Sequence, residues 1–241
     1  MSELSPQAVS RRERLIVALD VPSAAEARAL VGRIGDAACF YKIGLELFTS
    51  GGSFELLEWL VARGNKVFAD LKLYDIPETV RRAVANLRSS GASFLTVHGQ
   101  RSILEAAAGE KGALKILAVT VLTSFDQSDL AELGPGADVG ALVLSRARHA
   151  LETGCDGVIS SGLEAPAIRA EFGRRLLVVT PGIRPAGRNR PKDDQKRTVD
   201  VAQAFANGAD YIVVGRPVRD AADPRVAAEA IQATIGGVFA R

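Results

Sequence analysis

A chain of 241 residues, 47% of them hydrophobic, can bury one large core, and α/β barrels commonly reach this size as a single unit. The formal net charge of +2 is small and no basic tract is interleaved with aromatics, which argues against nucleic acid as a partner; no apolar run approaches the roughly 20 residues that span a bilayer, which argues against a membrane. Cys39 and Cys155 show neither a Cys-x-x-Cys nor a Cys/His spacing, so they read as buried reduced thiols, and with no apolar signal core in residues 1–14 the expected location is cytoplasmic.

Residues 1–13 are expected to be a flexible tail and 14–241 the folded domain. Residues 14–20 form a continuous apolar run ending in Asp20, the pattern of a buried parallel strand. Ser23 and Glu26 have capping-box spacing and open an alanine-rich helix that ends between Gly32 and Gly35. A second strand over 39–44 carries Lys42 near its end, and a helix follows from Ser53 to Gly64.

The third strand departs from this pattern. It starts at Val67 as an apolar run, then turns charged through Asp70, Lys72 and Asp75 and passes through Pro77 into a helical run over 80–87 that closes near Gly91. Strand alternation puts Asp70 and Lys72 on one face with Cα atoms about 6.5–7 Å apart, while Asp75 falls at an odd offset beyond the strand. The plain alternatives are a simple ion pair for Asp70 and Lys72 and a helix N-cap for Asp75.

The fourth strand, 92–98, ends on His98, which is either a ligand or acid or a hydrogen-bonded packing residue. A helix over 101–108 leads to a fifth strand, 114–122, followed by Thr123, placed to exchange a hydrogen bond, and Ser124. After a helix over 139–152 come strands at 157–160, 176–180 and 211–214. Gly91, Gly154 and Gly208 each end a helix and feed a strand, a repeated joint. Eight strands alternating with helices predict a parallel sheet closed as a (β/α)8 TIM barrel, with its site at the C-terminal mouth of the strands. An open doubly wound sheet is the alternative, but no Gly-x-Gly-x-x-Gly follows the first strand. In the barrel, Asp20, Lys42, Asp70 and Lys72 converge from three strand ends.

Residues 179–184 and 213–217, containing Gly182, Arg184, Gly215 and Arg216, follow strands seven and eight, where barrels commonly hold phosphate. Glycine admits close backbone approach and arginine supplies a bidentate clamp. Residues 185–197, with Arg188, Arg190, Lys192 and Lys196, are either a solvated loop or a lid.

Taken in order, Leu19-Asp20, Lys42-Ile43-Gly44, the run from Asp70 through Lys72 and Asp75 to Pro77, Leu122-Thr123-Ser124, Pro181-Gly182-Ile183-Arg184 and Gly215-Arg216-Pro217 resemble the orotidine 5'-phosphate decarboxylases over essentially the whole domain. The spacing of Asp70, Lys72 and Asp75 alone marks a wider superfamily that includes magnesium-dependent sugar-phosphate enzymes; those are expected to carry an acidic ligand where this chain has Lys42. The resemblance implies an alternating array of Lys42, Asp70, Lys72 and Asp75, with Lys72 as proton donor. It further implies substrate contacts from Asp20 to the ribose, Thr123 to the pyrimidine, and Arg184, Gln195, Gly215 and Arg216 to the phosphate, with Thr79 also at the substrate. It implies turnover without metal or cofactor and a homodimer in which Asp75 crosses to the neighbouring site. Adjacent carboxylates oppose the deprotonation that a Schiff-base lysine needs, so Lys72 is in the wrong company for that chemistry. A non-catalytic sensor of a phosphate ligand is the alternative from a different class.

Overall fold

The computed structural model describes residues 9–125, 138–184 and 197–240. Eight parallel strands close into a barrel in chain order: β1 Leu15–Ala18, β2 Phe40–Gly44, β3 Lys66–Leu73, β4 Phe94–His98, β5 Lys115–Val119, β6 Gly157–Ile159, β7 Leu177–Thr180 and β8 Tyr211–Val214. The last closes on the first through Leu15↔Ile212, Ile16↔Val213 and Val17↔Val214. The expected (β/α)8 architecture is therefore the observed one.

Among the described residues the helices are α1 Ala24–Ile34, α2 Leu45–Thr49, α3 Ser53–Ala62, α4 Pro77–Leu87, α5 Arg101–Glu110, α6 Val139–Glu152, α7 Ala165–Phe172, α8 Val201–Ala206, α9 Arg216–Arg219 and α10 Pro224–Val238. Ser23 caps α1 by accepting the Glu26 N–H, and its hydroxyl then donates to the Glu26 carboxylate. Gly91, Gly154 and Gly208 all have positive φ, the left-handed turn that lets each helix reverse into the next strand. No helix among the described residues is long and apolar enough to cross a membrane.

Alternation along the strands makes two cores. Outward residues such as Leu15, Val17, Tyr41, Ile43 and Leu95 pack beneath the helices. Inward residues fill the barrel: Ile16, Phe40, Phe68, Phe94, Leu117, Val179 and Tyr211. Four of these are aromatic and form one cluster, with ring centroids 5.0 Å apart for Phe40–Phe94, 5.2 Å for Phe94–Tyr211, 5.9 Å for Phe68–Phe94 and 6.0 Å for Phe40–Tyr211. Burial pushes the Tyr211 phenol up to about 12, so it stays neutral there.

Three expectations need correction. The folded unit reaches back past Arg14: a 3-10 turn, Arg11–Arg14, joins the barrel through Glu13, which pairs with Lys66 at the start of β3. Cys155 is buried, but Cys39 is only half-buried, because it precedes β2 at the rim rather than lying within it. Asp75 does not cap α4. The N-cap is Ile76, with Pro77 at the first helical position, and the Asp75 carboxylate accepts its neighbour's N–H, Ile76 N at 2.7 Å.

Candidate active site

The alternation that points Phe40 and Phe68 into the barrel points Lys42 and Asp70 inward one step nearer the mouth. From β1 the same step runs through Ile16 and Ala18 to Asp20, just past the strand. The three side chains meet. Lys42 Nζ lies 3.1 Å from Asp20 Oδ1 and 3.3 Å from Asp70 Oδ2, and Lys72 Nζ lies 2.9 Å from Asp70 Oδ1. Acid and base thus alternate from Asp20 through Lys42 and Asp70 to Lys72.

Burial alone would push the Lys42 ammonium down, but Asp70 and Asp20 outweigh it and hold it above its ordinary range. For Asp70, burial favours the neutral acid, and Lys42, Lys72 and a hydrogen bond from Thr96 override it, holding the carboxyl below the usual range. Both groups are charged at neutral pH although each is itself nearly buried.

Simple alternation does not by itself account for the position of Lys72. The pairing of β3 with β4 runs from Ala69↔Leu95 to Leu73↔Val97, so residues 70–72 bulge opposite the single residue Thr96. Lys72 sits in that bulge with φ of 47°, the only positive φ outside glycine among the described residues. Its N–H, displaced from the ladder, donates instead to Thr96 Oγ1 at 2.9 Å.

A cavity of about 500 Å³ opens above the array. It is lined by Asp20, Lys42, Asp70 and Lys72 on one side, Thr123 and Ser124 after β5 on another, and Gly182, Arg184, Gly215, Arg216 and Arg219 at the ends of β7 and β8. Asp20 joins two of these groups: Oδ1 is on Lys42, while Oδ2 is 3.4 Å from where a side-chain carbon on Gly215 would stand. The cavity brings together Asp20, Lys42, Asp70, Lys72, Thr123, Arg184, Gly215 and Arg216, as the motifs suggested. It does not include Asp75 or Thr79, which are exposed on the turn into α4 and its first helical turn. Gln195 lies outside the described residues.

His98 is half-buried with its ring 4.7 Å from that of Tyr74, and burial, then Arg146 and Lys72, disfavours its charged form; it is a packing residue. Sequence reasoning missed Thr96 and Arg219, and gave Gly44 a place in a motif but no role of its own. Arg219 Nη1 donates to the Asp20 backbone carbonyl at 2.7 Å and so steadies the end of β1. Thr96 was within reach of the inward alternation, since it follows Phe94 as Lys42 follows Phe40. Among the described residues no group of three or more His, Cys, Asp or Glu side chains is arranged to hold a metal ion. Where a divalent cation would need an oxygen donor, Lys42 places an ammonium between Asp20 and Asp70.

Comparison with known proteins bears on this geometry. The family described as "Orotidine 5'-phosphate decarboxylase / HUMPS family" matches residues 13–231. The chain is 62% identical to an orotidine 5'-phosphate decarboxylase of Methylococcus capsulatus over 98% of both chains, and 53% identical to one of Methylobacterium radiotolerans over 93% of this chain and 96% of that one. A crystal structure of orotidine 5'-phosphate decarboxylase from Lactobacillus acidophilus superimposes with a TM-score of 0.81 at 35% identity, covering 92% of this chain and 99% of that one. On a match that spans most of its length, with relatives more than half identical to it, the chain belongs to the orotidine 5'-phosphate decarboxylase / HUMPS family.

Proposed function

We propose that this protein decarboxylates orotidine 5'-phosphate to UMP and CO2, a step of de novo pyrimidine biosynthesis, in the cytoplasm and without metal or cofactor. The observation that carries the reading is the buried array in which Lys42 and Lys72 both pair with Asp70, at 3.3 and 2.9 Å, beneath a cavity ringed on its far side by Arg184, Gly215 and Arg216. The lysine at position 42 favours this reading over a magnesium-dependent sugar-phosphate enzyme of the same family.

Cleavage of the bond between C6 and the carboxylate leaves an electron pair on C6 in the plane of the ring, where the π-system cannot accept it. A fixed cation facing C6 lowers the energy of that charge, and a preorganised site does so without reorienting at the moment of reaction. Lys72 is that cation and then gives its proton to C6; water returns a proton to the amine. Asp70 holds Lys72, and Lys42 holds Asp70. Asp20 takes the ribose, Thr123 the pyrimidine, and Arg184, Gln195, Gly215 and Arg216 the phosphate. Binding energy gathered at the phosphate is available to orient the distant C6.

The array lacks its last carboxylate. Among the described residues Asp75 has no ion pair in its own chain, and it projects between Tyr74, 60% exposed, and Ile76, 66% exposed. A homodimer that buries these apolar neighbours and delivers Asp75, with Thr79 from the same turn, to the partner's cavity accounts for both.

Purified protein mixed with orotidine 5'-phosphate should consume its ultraviolet absorbance after exhaustive dialysis against chelator. Lys72→Ala should lose about 10²- to 10⁴-fold or more in turnover, the range expected for a positioned proton donor. A requirement for added Mg2+ would favour the sugar-phosphate reading instead.

A further inference from the structure

Thr96, a fully buried residue in the middle of β4, touches the array without belonging to it. Its hydroxyl makes two hydrogen bonds, each 2.9 Å, one with Asp70 Oδ1 and one with the backbone nitrogen of Lys72. The directions are fixed by chemistry. An amide N–H can only donate and a carboxylate only accepts, so the hydroxyl accepts from Lys72 and spends its single proton on Asp70.

That arrangement solves a local problem. With residues 70–72 bulged against one residue of β4, the Lys72 N–H has no ladder carbonyl, and its left-handed conformation crowds the Cβ against the backbone, as it does for nearly any residue but glycine. The Thr96 oxygen stands where the missing acceptor is needed and ties the bulge to the carboxylate that pairs with the Lys72 ammonium. Backbone, carboxylate and ammonium form one closed circuit through a neutral hydroxyl.

We propose that Thr96 is a positioning residue for the reaction: through these two bonds it fixes the rotamer of Asp70 and the backbone turn that aims Lys72 into the cavity. This rests on the decarboxylase reading of the site. The charged groups facing Asp70 are Lys42 from β2 and Lys72 from β3, with Asp20 behind Lys42; Thr96 is its contact from β4. Threonine suits the position because its branched Cβ stiffens the rotamer that both bonds require. Valine keeps that shape and loses both bonds.

The test compares wild type, Thr96→Val and Thr96→Ser. Loss of a hydrogen bond to a charged group predicts a fall in kcat of about 10- to 100-fold for Thr96→Val, with KM for orotidine 5'-phosphate nearly unchanged, since Asp20, Arg184 and Arg216 are untouched. Thr96→Ser, which restores the hydroxyl, should recover most of the loss. The acid limb of kcat against pH should move to higher pH in Thr96→Val, because Asp70 loses a bond that favours its charged form. A folded Thr96→Val with wild-type kcat overturns the proposal, as does a serine variant no better than valine. Independently of any variant, amide exchange in the wild type must show Lys72 N–H protected relative to Gly112 and Ala113, exposed in the turn between α5 and β5 and away from the proposed interface; equal exchange also overturns it. Failure of the wild type itself to turn over orotidine 5'-phosphate would sink the decarboxylase reading and not the hydrogen-bond circuit, which the exchange measurement reads directly.

Discussion

A methyl group on Gly44 would stand 2.9 Å from Lys42 Nζ and 3.2 Å from Asp20 Oδ1, closer than a carbon can sit without displacing the ammonium. The backbone there has φ of −93°, open to any residue, so alanine brings no conformational strain. Gly44→Ala should therefore fold normally yet push Lys42 off Asp70, lowering turnover on the order of 10- to 100-fold, as expected when a charged group is misplaced by a fraction of its own size. Melting temperature and kcat measured together check this; a normal kcat would show that the array tolerates a shifted Lys42. At this scale the charges were readable from sequence because a buried strand rarely carries an unpaired Lys or Asp. Thr96 and Gly44 were not, because a hydroxyl in a strand and a glycine at its end each have ordinary explanations. The bulge also escaped notice: alternation gave the Asp70–Lys72 contact, but the strand that makes it is irregular.

Arg197 ties three elements together near the mouth. It was expected in a solvated loop or lid, yet it is buried, pairing with Glu164 before α7 at 2.6 Å and donating to the carbonyls of Leu122 at 2.8 Å and Val121 at 3.2 Å after β5. Two residues on, Val199 bridges to Ile183 and accepts the Arg184 N–H at 3.0 Å. The segment beyond β7 is thereby pinned to the segment beyond β5, and Gly162 makes room for it, since a side-chain carbon there would meet Val199 at 2.5 Å. Both charged side chains are nearly enclosed, 10% and 13% exposed, so Arg197→Met strands a buried carboxylate and should cost about 3–5 kcal/mol of stability. Urea unfolding should show that loss, with much of it recovered in Arg197→Met combined with Glu164→Leu; a single variant as stable as wild type would refute the pairing's role. Strands and helices were legible because apolar runs recur eight-fold around a barrel and a glycine that ends a helix recurs at Gly91, Gly154 and Gly208. Arg197 was not, because glycine, proline and charge dominate the residues just before it and composition cannot show which arginine turns inward.

For the whole molecule the open question is assembly, which depends on surface shape and leaves little trace in periodicity. Lys72→Ala and Asp75→Asn should each be nearly inactive as homodimers, losing about 10²-fold or more. When the two are dissociated, mixed and reassociated, activity should return, because the Asp75→Asn subunit keeps Lys72 and receives Asp75 from its partner. Verified heterodimers as inactive as their parents would show that Asp75 does not act across an interface. The rings of Phe40, Phe68, Phe94 and Tyr211 that fill the stem of the barrel carry a consequence for traffic. Among the described residues they give the chamber a floor and leave it open at the strand ends. In the proposed reaction, nucleotide would enter and carbon dioxide and product would leave by that opening, and the proton that recharges Lys72 would arrive by it too, since the described side chains below the array are packed hydrocarbon. On that reading each catalytic cycle would have a rehydration step built into it, the site being reset for the next substrate only once its doorway has been open to solvent.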